Sequence, residues 1–545
     1  MPGKSQRAKP VRQGPVVQAS RRKGEQRQRP RAGGRGAACL DRARRLADQQ
    51  RFDEAIKEYR RALKQNPGHV GISLTLASVY LRQGDFSTAA QTYEAACALA
   101  PQRADIQRTA GQALQEMGRH RDALAYYQRA VQLEPTSIES HCRAGQALER
   151  QHRLEEARTA VDQALSLGPD SPLAMLTAAV LDRREGDLEG AECRLTDLLG
   201  HDPPQEIAWR AWYELAQVRD RAARYDAAMS ALLAGKKLLR KDKATPTWVQ
   251  RSWRRRNRFD EALESLTAKH LERWHGERQN SERQNSEQGP PAILIGHPRS
   301  GTTMAQHILD AHPKVVALDE RHVMGTIVHN GAIRNGRDEE PTPDRLDRLQ
   351  AAERSRLRGE YWREIEKMID PPLGDRLLLD KHPQWLTYLP SITRVFPDAK
   401  VIVAIRDPRD VCLSCYMQQF SLNATSVAFL SLEGTVNHYV QFMNFWLTLR
   451  SMLPTDWIEF RYEDMAHDIE SESRRLTNFL GLAWDDGVLD FHRQARQKDV
   501  STPSYEAVTQ PVNTRAIGRW KNYTEHFEPL LAELEPFVEA FGYSS

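Results

Sequence analysis

Prolines at positions 67, 101, 135, 169 and 203 recur every 34 residues. A period of that length accommodates two short helices and their turns. Each proline can close a second helix, because it has no N–H to continue the ladder and it restricts the residue before it. Small residues repeat in the same frame. Ala43, Ala77, Gly111, Gly145 and Ala179 mark one place in the unit, Ala55, Ala89, Ala123, Ala157 and Ala191 a second, and Ala62, Ala96, Ala130 and Ala164 a third. Small side chains at these places let the helices of a unit, and neighbouring units, approach closely, while Tyr59, Tyr93 and Tyr127 fill the gaps between them. The expected architecture is a stack of helix pairs in which each unit buries its apolar face against its neighbours.

These positions resemble the tetratricopeptide family across about residues 36–205, with a divergent sixth unit to about 240 centred on Ala227. Arg258-Phe-Asp-Glu-Ala-Leu263 echoes Arg51-Phe-Asp-Glu-Ala-Ile56 and suggests one more decayed helix. The resemblance implies a concave groove that binds a partner protein or the substrate; the alternative is that the stack only supports the rest of the chain.

A chain of 545 residues is too long for one core, and its 40% hydrophobic content supports globular structure. Residues 1–36 carry eleven Lys or Arg against Glu25 alone, a charge of +10. The total of +5 then leaves 5 − 10 = −5 on the remainder. This Gly-, Pro-, Gln- and Arg-rich tail reads as disordered, and as a solvated extension rather than a nucleic-acid arm. No apolar run is long enough to span a bilayer or to serve as a secretory signal, so a cytoplasmic protein is expected. Cysteines at 39, 97, 142, 193, 412 and 415 are scattered, and disulfides are not expected. Cys412 and Cys415 lack two further ligands at a zinc spacing and read as helix-packing residues.

The near-duplicated polar segment Glu277-Arg-Gln-Asn-Ser-Glu-Arg-Gln-Asn-Ser-Glu287, ending at Gly289-Pro-Pro291, separates the helical half from an apolar strand at Ala292. The expected organisation is therefore a basic tail over 1–36, a helical solenoid over 37–272, a polar linker over 273–291 and a second domain over 292–545.

That strand runs into a turn, Ala292-Ile-Leu-Ile-Gly-His-Pro-Arg-Ser-Gly-Thr-Thr303, and a helix is expected over roughly Thr302 to Ala311. A helix start placed there aims its first N–H groups and its positive dipole end at an anion held by Arg299, Ser300, Gly301, Thr302 and Thr303. Gly296 and Gly301 keep the Walker A spacing, but Thr302-Thr303 replaces the expected Lys-Ser/Thr pair, which argues against an ordinary ATPase. Arg299 is the cation inside the loop, and its fork can hold two oxygens of a phosphate or sulfate. Apolar segments at Leu377–Leu379, Lys400–Ile405 and Trp457–Tyr462 alternate with helical patterns, which predicts a mostly parallel α/β sheet covered by helices. Ligands of such sheets bind outside the carboxyl ends of the strands. At one such end stands Arg406-Asp-Pro-Arg-Asp410, with Ser414 eight residues after Arg406, a cation and a hydroxyl suited to a second phosphate.

The two loops resemble the 5′-phosphosulfate and 3′-phosphate sites of sulfotransferases. Leu309-Asp-Ala-His-Pro313, Asp380-Lys-His-Pro383, Arg461-Tyr-Glu-Asp464, Gln510-Pro-Val-Asn513 and Ala516-Ile-Gly-Arg-Trp520 extend the resemblance to tyrosylprotein sulfotransferases over about Ala292 to Tyr543. It implies a P-loop-like domain that uses 3′-phosphoadenosine-5′-phosphosulfate as sulfuryl donor, without a metal. On it, Glu320 takes the catalytic-base position, Lys381 the transition-state cation and Tyr462 a nucleotide contact. Two departures are Gln418, where the family has a basic residue, and Gly518-Arg519-Trp520, where it has Ser-Lys-Trp. Arg519 or Lys521 would then supply charge to the nucleotide.

In-line sulfuryl transfer needs fixed cations on the leaving side, here Arg299 and Lys381, and a base for the acceptor proton. Glu320 is the candidate base and His382 its rival, although adjacent strand residues face opposite ways and Lys381 and His382 would not both meet the sulfur. The acceptor is a hydroxyl, on protein tyrosine or on a small molecule. A tetratricopeptide scaffold with a nucleotide-binding but inactive transferase domain is the alternative. The resembling enzymes are often dimers, which makes a homodimer one expectation.

Overall fold

The computed structural model describes residues 34–49, 51–277, 289–332, 342–496, 498, 502 and 504–544. The expected disordered tail, up to residue 33, and the duplicated linker segment 278–288 lie outside the described residues.

Six antiparallel helix pairs run from Gly34–Asp48 with Phe52–Gln65 to Gln205–Arg221 with Tyr225–Arg240, followed by the helices Thr245–Ser265 and Ala268–Gly276. The periodic alanines at positions 55, 89, 123, 157 and 191 are wholly buried. Tyr59, Tyr93 and Tyr127 are buried beside them. Gly111 shows why that place must be small. A Cβ there would lie 2.7 Å from the Tyr127 ring, well inside van der Waals contact. Helix Ala268–Gly276 reaches into the stretch read as linker from residue 273, because Trp274 is buried and its indole N–H bonds Asp347 at 2.5 Å.

The second half holds a five-stranded parallel sheet of β1 (Ala292–Gly296), β2 (Val315–Asp319), β3 (Leu377–Lys381), β4 (Val401–Ile405) and β5 (Trp457–Arg461), in the order β2-β3-β1-β4-β5. The central β1 is fully buried on both faces, as expected of a strand covered by helices on either side. The edge strand β2 had no counterpart among the apolar segments read from the sequence. Its pairing with β3 sets Asp319 opposite Lys381.

The two halves are joined through a shared core cluster. A single apolar cluster joins Leu176, Leu215, Leu232 and Trp274 of the solenoid to Val403, Tyr416 and Trp446 of the sheet domain. Polar contacts cross with it. Lys236 is buried and donates to the Phe429 carbonyl at 2.6 Å and to the Tyr213 hydroxyl at 3.1 Å, and burial holds its pKa well below the usual lysine value. Among the described residues, no helix is long and apolar enough to cross a membrane.

Candidate active site

All five strands end on the same edge, and a candidate residue follows or ends each strand: Arg299 after β1, Glu320 after β2, Lys381 at the end of β3, Arg406 after β4 and Tyr462 after β5. The parallel register delivers them to one edge because every crossover returns the chain in the same direction.

The loop after β1 is tight. Gly301 caps helix Thr302–Asp310 with φ +103, and a Cβ there would meet the Tyr462 ring at 2.9 Å. Arg299 itself holds a left-handed φ of +72, a conformation that costs a non-glycine residue about 1–3 kcal/mol and persists where its surroundings impose it. Its Nε donates to Ser414 Oγ at 3.0 Å and its Nη1 to Ser504 Oγ at 2.7 Å. Among the described residues no carboxylate pairs with it. Burial pulls its pKa down to about 10, and the cations Arg406 and Arg519 act in the same direction.

Arg406 closes the other side. Its guanidinium bonds the carbonyls of Arg299 at 3.2 Å and Ala516 at 2.5 Å and sits 4.7 Å over the Tyr462 ring. Its Nε and the Ser300 hydroxyl are buried without a hydrogen-bond partner among the described residues. Buried polar atoms of this kind are costly unless something satisfies them. Two arginines and orphaned polar atoms around a helix N-terminus fit a phosphate- or sulfate-bearing ligand. Arg299, Ser300, Arg406, Ser414 and Tyr462 are therefore brought together as expected, with Thr302 and Thr303 opening the helix. The Thr303 hydroxyl meets that of Thr502 at 3.4 Å. Arg519 reaches the region but is held by Asp220 of the solenoid at 2.5 Å, and Lys521 is exposed to solvent.

The acceptor side is built from β2 and β3. Lys381 Nζ donates to Glu320 Oε1 at 2.8 Å and to Asp319 Oδ1 at 3.0 Å. The lysine side chain is fully buried whereas that of Glu320 is 34% exposed. Burial alone would lower the lysine's pKa; Glu320 and Asp319 outweigh it and raise it. Glu320 also holds a left-handed φ, +47, with its N–H on the Lys381 carbonyl at 3.2 Å. Arg321 turns away from Glu320 to the solenoid, where it donates to the Met117 carbonyl at 3.2 Å.

His382 makes other contacts. Its ring stacks on Trp385, its Nδ1 accepts the Gln384 N–H at 3.2 Å, and burial holds its pKa well below the usual histidine value. Asp407 pairs with Arg409 at 2.8 Å, and Arg406 lies 4.0 Å from Asp410. Asp410 accepts the N–H groups of Gly518 and Trp520 at 2.7 and 2.8 Å, which fixes the segment carrying Arg519.

Sequence reasoning missed Asp319, Ser504, Asp220 and Asp410. For Asp319 a signal existed, its place beside Glu320, but without β2 nothing directed it at Lys381.

Comparison with known proteins relates the two halves of the chain to two families. The family described as "Sulfotransferase family" matches residues 290–486, and the tetratricopeptide repeat family matches residues 40–104 and 108–172. An uncharacterized protein of Aquifex aeolicus is 24% identical over 341 residues, covering 61% of this chain and 42% of that protein. Protein-tyrosine sulfotransferase A of Caenorhabditis elegans is 28% identical over 277 residues, covering 46% of this chain and 67% of the enzyme. Protein-tyrosine sulfotransferase 2 of Gallus gallus is 25% identical over 286 residues, covering 46% and 72%. The chain thus spans less than half of the Aquifex protein and about two thirds of the animal enzymes. The chain carries tetratricopeptide repeats followed by a domain of the sulfotransferase family.

Proposed function

We propose that this chain transfers a sulfuryl group from 3′-phosphoadenosine-5′-phosphosulfate to an acceptor hydroxyl, with tyrosine in an acidic segment as the acceptor. The observation that carries the reading is the buried Arg299–Arg406 pair, which lies on serine hydroxyls and backbone carbonyls. Two such cations in a low-dielectric site favour a polyanionic ligand strongly.

Arg299 and the start of helix Thr302–Asp310 would hold the 5′ end of the donor, and Arg406 with Ser414 the 3′-phosphate. The donor supplies the sulfuryl group and departs as the bisphosphate. Glu320 takes the proton of the acceptor hydroxyl as its oxygen bonds sulfur, and Lys381 compensates the charge gathering on the oxygens around it.

Two features support an acidic acceptor. Arg255 of helix Thr245–Ser265 reaches Thr425 at 3.1 Å and Gln384 at 3.5 Å, next to the His382 turn. Arg251, Arg254 and Arg258 stand with Arg255 at the i, i+3, i+4, i+7 spacing and add positive charge to the same stripe of this helix. A protein partner, on this reading, meets the first three helix pairs, since the later ones hold the chain's own segment 504–523.

The test is calorimetric titration with adenosine 3′,5′-bisphosphate without metal, and with ATP both without metal and with Mg²⁺, on the wild type and on Arg406→Ala. Selective binding of the bisphosphate that the variant loses is the expected result. Absence of binding, or preference for ATP with Mg²⁺, would overturn the reading and leave a scaffold or an NTPase.

A further inference from the structure

The solenoid grips the sheet domain at one repeated place. The last turns of the first helices of the fourth, fifth and sixth pairs, Ile138–Arg150, Pro172–Glu185 and Gln205–Arg221, present Glu149, Arg150, Arg183, Arg184, Asp220 and Arg221 along one rim. Tyr505 is seated there. Its hydroxyl donates to Glu149 at 2.7 Å, and the Arg150 guanidinium lies 3.7 Å over its ring. Glu506 beside it pairs with Arg183 at 3.3 Å and with Arg221. Further along, Asp220 takes Arg519 at 2.5 Å and the Tyr523 hydroxyl at 2.7 Å.

Both gripped segments lead straight into the anion site. Ser504, the residue before Tyr505, accepts the Arg299 Nη1 bond. Ala516, three residues before Arg519, accepts the Arg406 bond. The two cations of the donor site thus take part of their aim from segments whose outer ends the solenoid holds. Among the described residues no carboxylate pairs with Arg299, and Arg406 has Asp410 at 4.0 Å, so the hydrogen bonds to these segments help to fix both forks.

We propose that the rim residues of pairs four to six, above all Arg183 and Arg221 on Glu506 and Asp220 on Arg519, are positioning residues for the donor site, so that the solenoid is a working part of donor binding. This rests on the sulfotransferase reading of the same site. The grip consists of three ion pairs, a ring beneath a guanidinium and two tyrosine hydroxyls, and each orders the segments from outside the anion site.

The experiment uses the full-length chain as wild type, Glu506→Gln, Glu506→Asp and Asp220→Asn, with Tyr59→Phe in the first helix pair as a distant structural control. Binding of adenosine 3′,5′-bisphosphate is measured by calorimetry, donor and acceptor KM by steady-state assay, and amide hydrogen exchange over 504–523. Glu506→Gln should weaken bisphosphate binding about tenfold and raise the donor KM with the acceptor KM unchanged, a coupling of ordinary size for residues acting through a shared segment. Exchange over 504–510 should quicken, and Glu506→Asp should recover part of the affinity. If Glu506→Gln fails to fold, Asp220→Asn tests the same idea through the 516–523 segment. Wild-type binding with both variants within twofold of it, or a loss no larger than that of Tyr59→Phe, overturns the positioning role alone. A wild type that ignores the bisphosphate overturns the functional reading and this inference with it.

Discussion

Arg406 contributes a cation to the anion site and also ties the carbonyls of Arg299 and Ala516 together. Arg406→Ala removes charge-assisted hydrogen bonds of about 1.5–3 kcal/mol each. Bisphosphate affinity should therefore fall by about 10- to 100-fold in titration calorimetry. Glu320 and His382 separate by role. Glu320→Gln keeps the size of the side chain and its bond to Lys381 but cannot take a proton, so kcat should drop by about 10²–10⁴ with bisphosphate affinity unchanged. His382→Asn, whose side-chain oxygen can still accept the Gln384 N–H, should keep most of the activity. A single-turnover assay of the two variants distinguishes them, and equal losses would contradict the assignment. Burial holds His382 neutral through the physiological range, so no inflection of the pH–rate profile near the ordinary histidine pKa should come from it.

At the scale of elements, the phosphate loop and the gripped segment 504–510 behave differently. Gly301→Ala meets both a left-handed φ of +103 and a Cβ contact of 2.9 Å with Tyr462, a cost of about 1–3 kcal/mol that would displace the loop. The variant should lose bisphosphate affinity more than it loses melting temperature. The grip on 504–510 is pH-sensitive. Burial alone would raise the Glu506 carboxyl, but Arg183, Arg221 and Arg184 prevail and hold its pKa at about 2, against 4.5 in the free side chain. A group depressed on folding contributes stability above its unfolded pKa and loses it as pH falls through the folded value. The contribution, about 3 kcal/mol as an upper figure, is thus complete above about pH 5 and lost between there and pH 2. Acid titration followed by exchange over 504–510 should show that loosening, and Glu506→Gln should abolish it. The loop after β1 was legible in the sequence because glycine, arginine and a helix start are local signals. Strand β2 was not, since Val315–Asp319 follows a short turn and its burial is partial. The seat of Tyr505 was not legible either, because its partners Glu149, Arg150 and Arg184 lie more than 300 residues away and no local pattern announces that contact. The 34-residue period revealed the stack, whose alanines are buried as expected, but could not reveal which part of the groove the chain fills itself.

For the whole molecule, the boundary in the sequence and the boundary in the core differ. Composition places a linker at 273–291, yet one apolar cluster runs from Leu176 to Phe541, while a second holds the first repeats from Ala43 to Leu181. The seam lies within helix Pro172–Glu185, where Leu176 and Ala179 face the sheet-side cluster and Ala178 and Leu181 the repeat-side one. A chain truncated to begin at Gly289 would strip the solenoid side from that shared core and remove the donors of Lys236 and Arg240 from the carbonyls of Phe429 and Leu430. Cooperative units follow buried contacts rather than linkers, so the full chain should melt in two stages, the first four helix pairs apart from pairs five and six together with the sheet domain. A ligand stabilises only the unit whose native state it binds, by about 2.7 kcal/mol at a concentration one hundred times its Kd. Bisphosphate should therefore raise the melting of the second unit, with added hydrogen-exchange protection over 205–240 as well as the sheet domain, and leave residues 40–133 unchanged. Protection confined to 292–545 would show that the solenoid is a separate module after all. Protection reaching the sixth helix pair requires that solenoid and donor site fold as one body, which is the arrangement the buried contacts describe.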